Sequence, residues 1–85
     1  MTEKLTIEQL YALVEPKIRL KGHYARHKVS GKLYIVTDVV LRESDLSVEV
    51  TYRNMGKITV SFTRPVGEFE EKFTVGPHWA EEADG

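Results

Sequence analysis

Tyr24, Arg26 and Lys28, with Tyr34, Tyr52 and Arg53 further on, spread rings and cations over a chain of 85 residues. Such a set makes and breaks no bonds. Arginine and lysine meet phosphates while bases stack on aromatic faces, so a small barrel presenting both suits single-stranded nucleic acid or a nucleotide. Tyr24, Arg26, Lys28 and Arg53, joined by Arg64, are the candidate ligand-binding residues. A structural account competes, with Tyr34 and Tyr52 as core aromatics and the cations lining a helix junction. Tyr52 falls on the inward set of its strand and goes to the core; Tyr24, Arg26 and Lys28 stay open.

The charge pattern points the same way without deciding it. Residues 16–37 carry Lys17, Arg19, Lys21, Arg26, Lys28 and Lys32, two histidines and no carboxylate. Residues 68–85 carry Glu68, Glu70, Glu71, Glu81, Glu82 and Asp84 against the single Lys72. This segregation marks an anion-binding face over 16–32, two halves that neutralise each other, or a solvated surface.

Catalysis is not expected. The chain has no cysteine, no G-x-S-x-G elbow, no phosphate-cradling glycine loop and no H-E-x-x-H. His27 with Glu68 or Asp38 would make a base and its orienting carboxylate, but nothing in their spacing demands it. His23 and His27, four apart, would form half of a metal site on a helix, with His78 as a third ligand; on a strand the same spacing separates the rings. No metal or cofactor is therefore expected. A second functional reading rests on Trp79 with Glu81 and Glu82, an aromatic anchor with a polar rim, for a protein partner that the domain inhibits or assists. Trp79 folding back onto its own domain is the structural alternative.

The elements that must position these residues follow from pattern. Residues 6–15 predict a helix, with Thr6 and Gln9 in capping-box positions, Ile7, Leu10, Leu13 and Val14 on one stripe, and Pro16 as the stop. From residue 22 the period becomes two. Strands are predicted over 24–28, 32–42, 46–53, 58–64 and 72–75. The third has Leu46, Val48, Val50 and Tyr52 inward; the fourth has Ile58, Val60, Phe62 and then Arg64, with "NMGK" as the hairpin turn between them. Residues 32–42 are apolar on both faces, Leu33, Ile35, Val39 and Leu41 against Tyr34, Val36 and Val40, which makes that strand central or strongly bent. A helical turn after Pro65 brings Phe69 and Phe73 together as a plug, and Gly76-Pro77 ends the last strand before an acidic tail, 76–85. With 41% apolar and 29% charged residues, one domain spanning 1–85 with one core is expected, monomeric or dimeric. No run approaches the roughly 20 apolar residues of a membrane span, and "MTEKLTIEQL" lacks the basic and apolar regions of a leader, so no membrane association and a cytoplasmic location are expected.

At "RHKVSGKLYIV", "VEVTYRN" and "FTRPVGEFEEKF" the chain resembles a family of short bacterial and phage proteins known as a domain of unknown function. The family pattern is RHxKGxxYxV, then VxY, then WxRPxxxFxExV. Arg26, His27, Lys28, Gly31, Tyr34 and Val36 match the first block with Val29-Ser30 inserted, Val50 and Tyr52 the second, and Arg64, Pro65, Phe69, Glu71 and Phe73 the third, where Phe62 replaces the tryptophan. The resemblance implies a small SH3-like barrel, and it brings no assigned activity with it. The expectation is thus α+β: an N-terminal helix packed on a small five-stranded antiparallel SH3-like β-barrel (22–75), serving as a non-enzymatic binding module. Arg64 ends an inward stripe, which asks for a carboxylate partner; Glu68, Glu70 and Asp38 are in reach by sequence.

Overall fold

The computed structural model describes residues 5–80. Thr6 opens the first helix as its sequence predicts: the Gln9 backbone amide donates to the Thr6 hydroxyl at 3.1 Å, and the Thr6 amide donates to the Gln9 side chain at 2.8 Å. Two orphan donors of the first turn are thereby satisfied. The helix, α1, covers Ile7–Ile18 and runs through Pro16 instead of stopping there. Proline removes the bond to the carbonyl four residues back. That residue, Ala12, is exposed, as is Pro16, so water can take the freed carbonyl. Of the predicted stripe only Val14 is buried, and Ile7, 76% exposed, lies clear of the core. Ile18 and Leu20 complete the packing in its place.

Five strands follow: β1 His23–His27, β2 Leu33–Leu41, β3 Val48–Asn54, β4 Ser61–Pro65 and, after a short helix α2 Val66–Lys72, β5 Phe73–His78. They form one antiparallel sheet in the order β4-β3-β2-β1-β5, with β2 at the centre. The sheet does not close into the expected barrel. β4 is five residues long and ends at Pro65, which has no amide to extend a ladder. The chain then leaves as α2 before β5 begins, so β4 and β5 remain the two edges. Phe69 of α2 is fully buried and stacks on Phe73 with ring centroids 4.6 Å apart. Tyr52 lies 5.0 Å from Phe73, and Tyr34 5.5 Å from each of Tyr52 and Phe73. This aromatic cluster fills the inner face of the curved sheet, joined by Ala25, Val36, Val39, Val50 and the α1 residues.

The register departs from simple alternation at one place. Val36 pairs with Tyr52 but Asp38 pairs with Thr51, so β2 spends an extra residue there, a bulge at Thr37. The Thr37 hydroxyl donates to the Thr51 carbonyl at 3.1 Å. The bulge exchanges the two faces of β2 beyond it: Tyr34 and Val36 share the inner face with Val39 and Leu41, while Leu33 and Ile35 turn outward. The predicted grouping of Leu33 and Ile35 with Val39 and Leu41 is corrected by that single residue.

Two other expectations change. Ile58 and Val60 precede β4 and are exposed, because the Asn54 side chain organises a wide loop: its amide donates to the Ile58 carbonyl at 2.8 Å and its carbonyl oxygen accepts from the Val60 amide at 2.6 Å. The tight "NMGK" turn is therefore replaced by a loop over 55–60. Leu46, assigned inward, lies before β3 with left-handed backbone (φ 58°). At the other end β5 continues through Gly76-Pro77 to His78. His23 pairs with His78 and Ala25 with Val75, so β5 carries an extra residue there, and an edge strand tolerates a proline at such a bulge. The chain beyond β5 accordingly starts later than residue 76.

Candidate functional site on the outer face of the sheet

Ala25 points into the core, so its neighbours Tyr24 and Arg26 point to the opposite, outer face of β1. Tyr24 pairs with Ile35, and Ile35 with Arg53, which places all three side chains in one row across β1, β2 and β3. Arg26 pairs with Leu33 on one side and Thr74 on the other. Three of the five candidate ligand residues, Tyr24, Arg26 and Arg53, thus share one solvent-facing surface. Two grooves lie side by side there, Tyr24 lining the first and its strand partner Ile35 the second. The first, about 330 Å³, is lined by Tyr24, Arg26, Leu33, Thr74, Gly76 and Pro77 among others. The second, about 580 Å³, is lined by Lys21, Ile35, Val36, Thr37, Arg53 and Trp79 among others. Among the described residues no carboxylate lines either groove. Asp38, further along β2, accepts the Val39 amide at 2.9 Å.

Trp79 is held by backbone: its amide donates to the Gly22 carbonyl at 2.9 Å, and its indole is half exposed beside the His78 ring. Arg26 is steadied by donation to the Gly31 carbonyl at 2.8 Å. Gly31 has positive φ, 74°, the backbone that turns the chain from β1 to β2.

The remaining candidates go elsewhere. Lys28 sits in the turn after β1, exposed, and lines neither groove. Arg64 pairs with Val50 and so belongs to the inner face, where its Nε donates to the Tyr52 hydroxyl at 3.1 Å and its guanidinium to Glu68 at 2.6 Å. The Tyr52 bond first, and the Glu68 charge after it, push its already high pKa further up. Of the three carboxylates proposed for it, Glu68 is the partner. Glu81 and Glu82 lie outside the described residues. The basic stretch is also partly neutralised within the chain, as Lys17 bonds Glu70 at 2.7 Å and ties α1 to α2. His23 and His27 stand at opposite ends of β1, the first edge-on to His78 (5.3 Å) and the second edge-on to Phe73 (5.1 Å).

Sequence reasoning missed Lys21, Leu33, Ile35 and Thr74 as members of this surface, and it missed Glu49. Glu49 faces outward on β3 yet is only 6% exposed. Arg42 and the Thr63 hydroxyl, the latter at 2.9 Å, hold its two carboxylate oxygens. A buried carboxylate needs such partners, and the Arg42 guanidinium also reaches Asp45 at 3.6 Å. Asp45 itself is held below the usual carboxylate range, chiefly by the Ser47 hydroxyl and amide that donate to it.

If Arg64 is the clasp of the inner face and not a ligand residue, Arg64→Ala is expected to lower stability by about 1 kcal/mol, since its head is partly exposed and Glu68 more so. Tyr52→Phe is expected to lose a similar or smaller amount. Chemical denaturation measures both; an Arg64→Ala protein of unchanged stability would contradict this role.

Fold and site together define a small α+β domain: one N-terminal helix on an open five-stranded antiparallel sheet, with a cationic, aromatic outer face. No helix among the described residues is long and apolar enough to cross a membrane. No family model, curated protein or solved structure matches the chain.

Proposed function

We propose that the domain is a non-enzymatic binding module that takes an anionic ligand, nucleic acid or nucleotide, on the outer face of β1, β2 and β3. The observation that carries this reading is the convergence of Tyr24 and Arg26 from β1 and Arg53 from β3 on grooves that no carboxylate among the described residues lines. Arg53 and Lys21 both line the second groove, and Trp79, the anchor of the protein-binding alternative, lines the same groove. We therefore assign Trp79 to the anionic-ligand face.

The test is a titration with a labelled single-stranded oligonucleotide at low and at moderate salt. Counterion release makes the affinity fall with salt, by a slope of about 0.7 per phosphate neutralised. Arg53→Ala is expected to weaken binding to all sequences alike and to reduce that slope by about 0.7. Arg64→Ala, on the other face, is expected to leave it unchanged. Absence of binding at low salt would overturn the reading.

A further inference from the structure

The outer face offers two adjoining grooves, the first with one ring and one cation, the second with Trp79 and two cations. The first has Tyr24 and Arg26; the second has Trp79 with Arg53 and Lys21. Each has the volume of a single small-ligand pocket, so one nucleotide fills one groove and leaves the other empty. The rings are set apart by the fold. Tyr24 lines only the first groove and Trp79 only the second, and the Trp79 amide is bonded to the Gly22 carbonyl, two residues before Tyr24 in the chain. Ile35, the partner of Tyr24 in the sheet, lines the second groove and not the first.

Building on the proposed anionic-ligand face, we infer that its ligand is a single strand of nucleic acid, bound over at least two nucleotides. One base stacks on Tyr24 and a neighbouring base on Trp79, while Arg26, Lys21 and Arg53 take the phosphates. Charge complementarity selects the polyanion, and the two rings select exposed bases, because a base held in a duplex presents no free face for stacking. Stacking on an aromatic ring and contact with a phosphate are both open to every base, so binding depends little on sequence.

Trp79 is the only tryptophan of the chain, which makes its emission a reporter of one subsite. The 85-residue chain is titrated at low salt with oligothymidylate, oligouridylate, thymidine monophosphate, the oligothymidylate annealed to its complement, and dextran sulfate, a polyanion without bases. The expected result is quenching of Trp79 emission by both oligonucleotides, at least about tenfold tighter than by the monophosphate, with the annealed duplex weaker than the free strand. Dextran sulfate is expected to displace the oligonucleotide without quenching. Tyr24→Ala is expected to weaken oligonucleotide binding about tenfold, and Tyr24→Phe, which keeps the ring, to bind as the parent does. A preference for DNA or RNA would report the ribose 2′-hydroxyl and leaves the inference standing. Dextran sulfate and oligonucleotide binding equally, with no quenching, would overturn the single-strand inference while the anionic face stands. Binding of neither would remove the face and the inference with it.

Discussion

Phe69→Ala is expected to remove about 3–5 kcal/mol of folding stability, the range for truncating a buried phenylalanine. The residue is fully buried, stacked on Phe73 at 4.6 Å and set against Tyr52 at 5.4 Å. An 85-residue domain has about 4–13 kcal/mol in total, so this one truncation takes a large share. The reason is topological as well as local. With no β4–β5 pairing to close the sheet, α2 and its phenylalanine are what cover the inner face between the two edges. Phe69→Leu keeps most of the volume and is expected to lose about 1.5 kcal/mol or less. Urea denaturation followed by circular dichroism measures both. A Phe69→Ala loss as small as that of the leucine variant would mean that the plug is not where the core is sealed.

The second large effect belongs to Gly22→Ala, with an expected loss of about 2–3 kcal/mol, read from the same denaturation curves. Gly22 has φ 87°, a region that disfavours any side chain by about 1–2 kcal/mol. A Cβ there would also lie 2.4 Å from Nε2 and 2.9 Å from Cδ2 of His78. Neither side yields easily. The backbone of Gly22 donates to the Val36 carbonyl at 2.8 Å and accepts from Trp79 at 2.9 Å, and the His78 ring rests against His23 and Trp79. Because Trp79 hangs on the Gly22 carbonyl, the substitution is also expected to change Trp79 emission in the protein without ligand. A Gly22→Ala protein with parental stability and emission would show that this crossing of α1, β1 and β5 is plastic.

Arg64 shows how far a sequence can be read. Its place on the inward register, its need for a carboxylate and the candidacy of Glu68 all follow from period-two alternation and from the cost of burying an unpaired guanidinium. The partnership with the Tyr52 hydroxyl does not, since it depends on which residues of β3 and β4 stand side by side. Glu49 is the converse. It reads as an ordinary outward residue of an alternating strand, and its burial comes from Arg42 and Thr63 closing over it from neighbouring segments.

The sequence by itself determined the features carried by local physics: the Thr6–Gln9 capping box, the presence of five strands, the inward set Val48, Val50 and Tyr52, and the Phe69–Phe73 pair after Pro65. Tertiary structure alone decided where the sheet stops and which residues share the binding face. An extra residue at Thr37 turns Ile35 outward, and antiparallel pairing then sets Tyr24, from one strand, and Arg53, from another, on either side of it. Lys28 and Arg64, equal candidates by composition, fall in a turn and on the opposite face. Alternation along a strand is a property of consecutive residues, whereas side-by-side placement across a sheet depends on register, and one bulge reverses a face without leaving a mark in the residues that move.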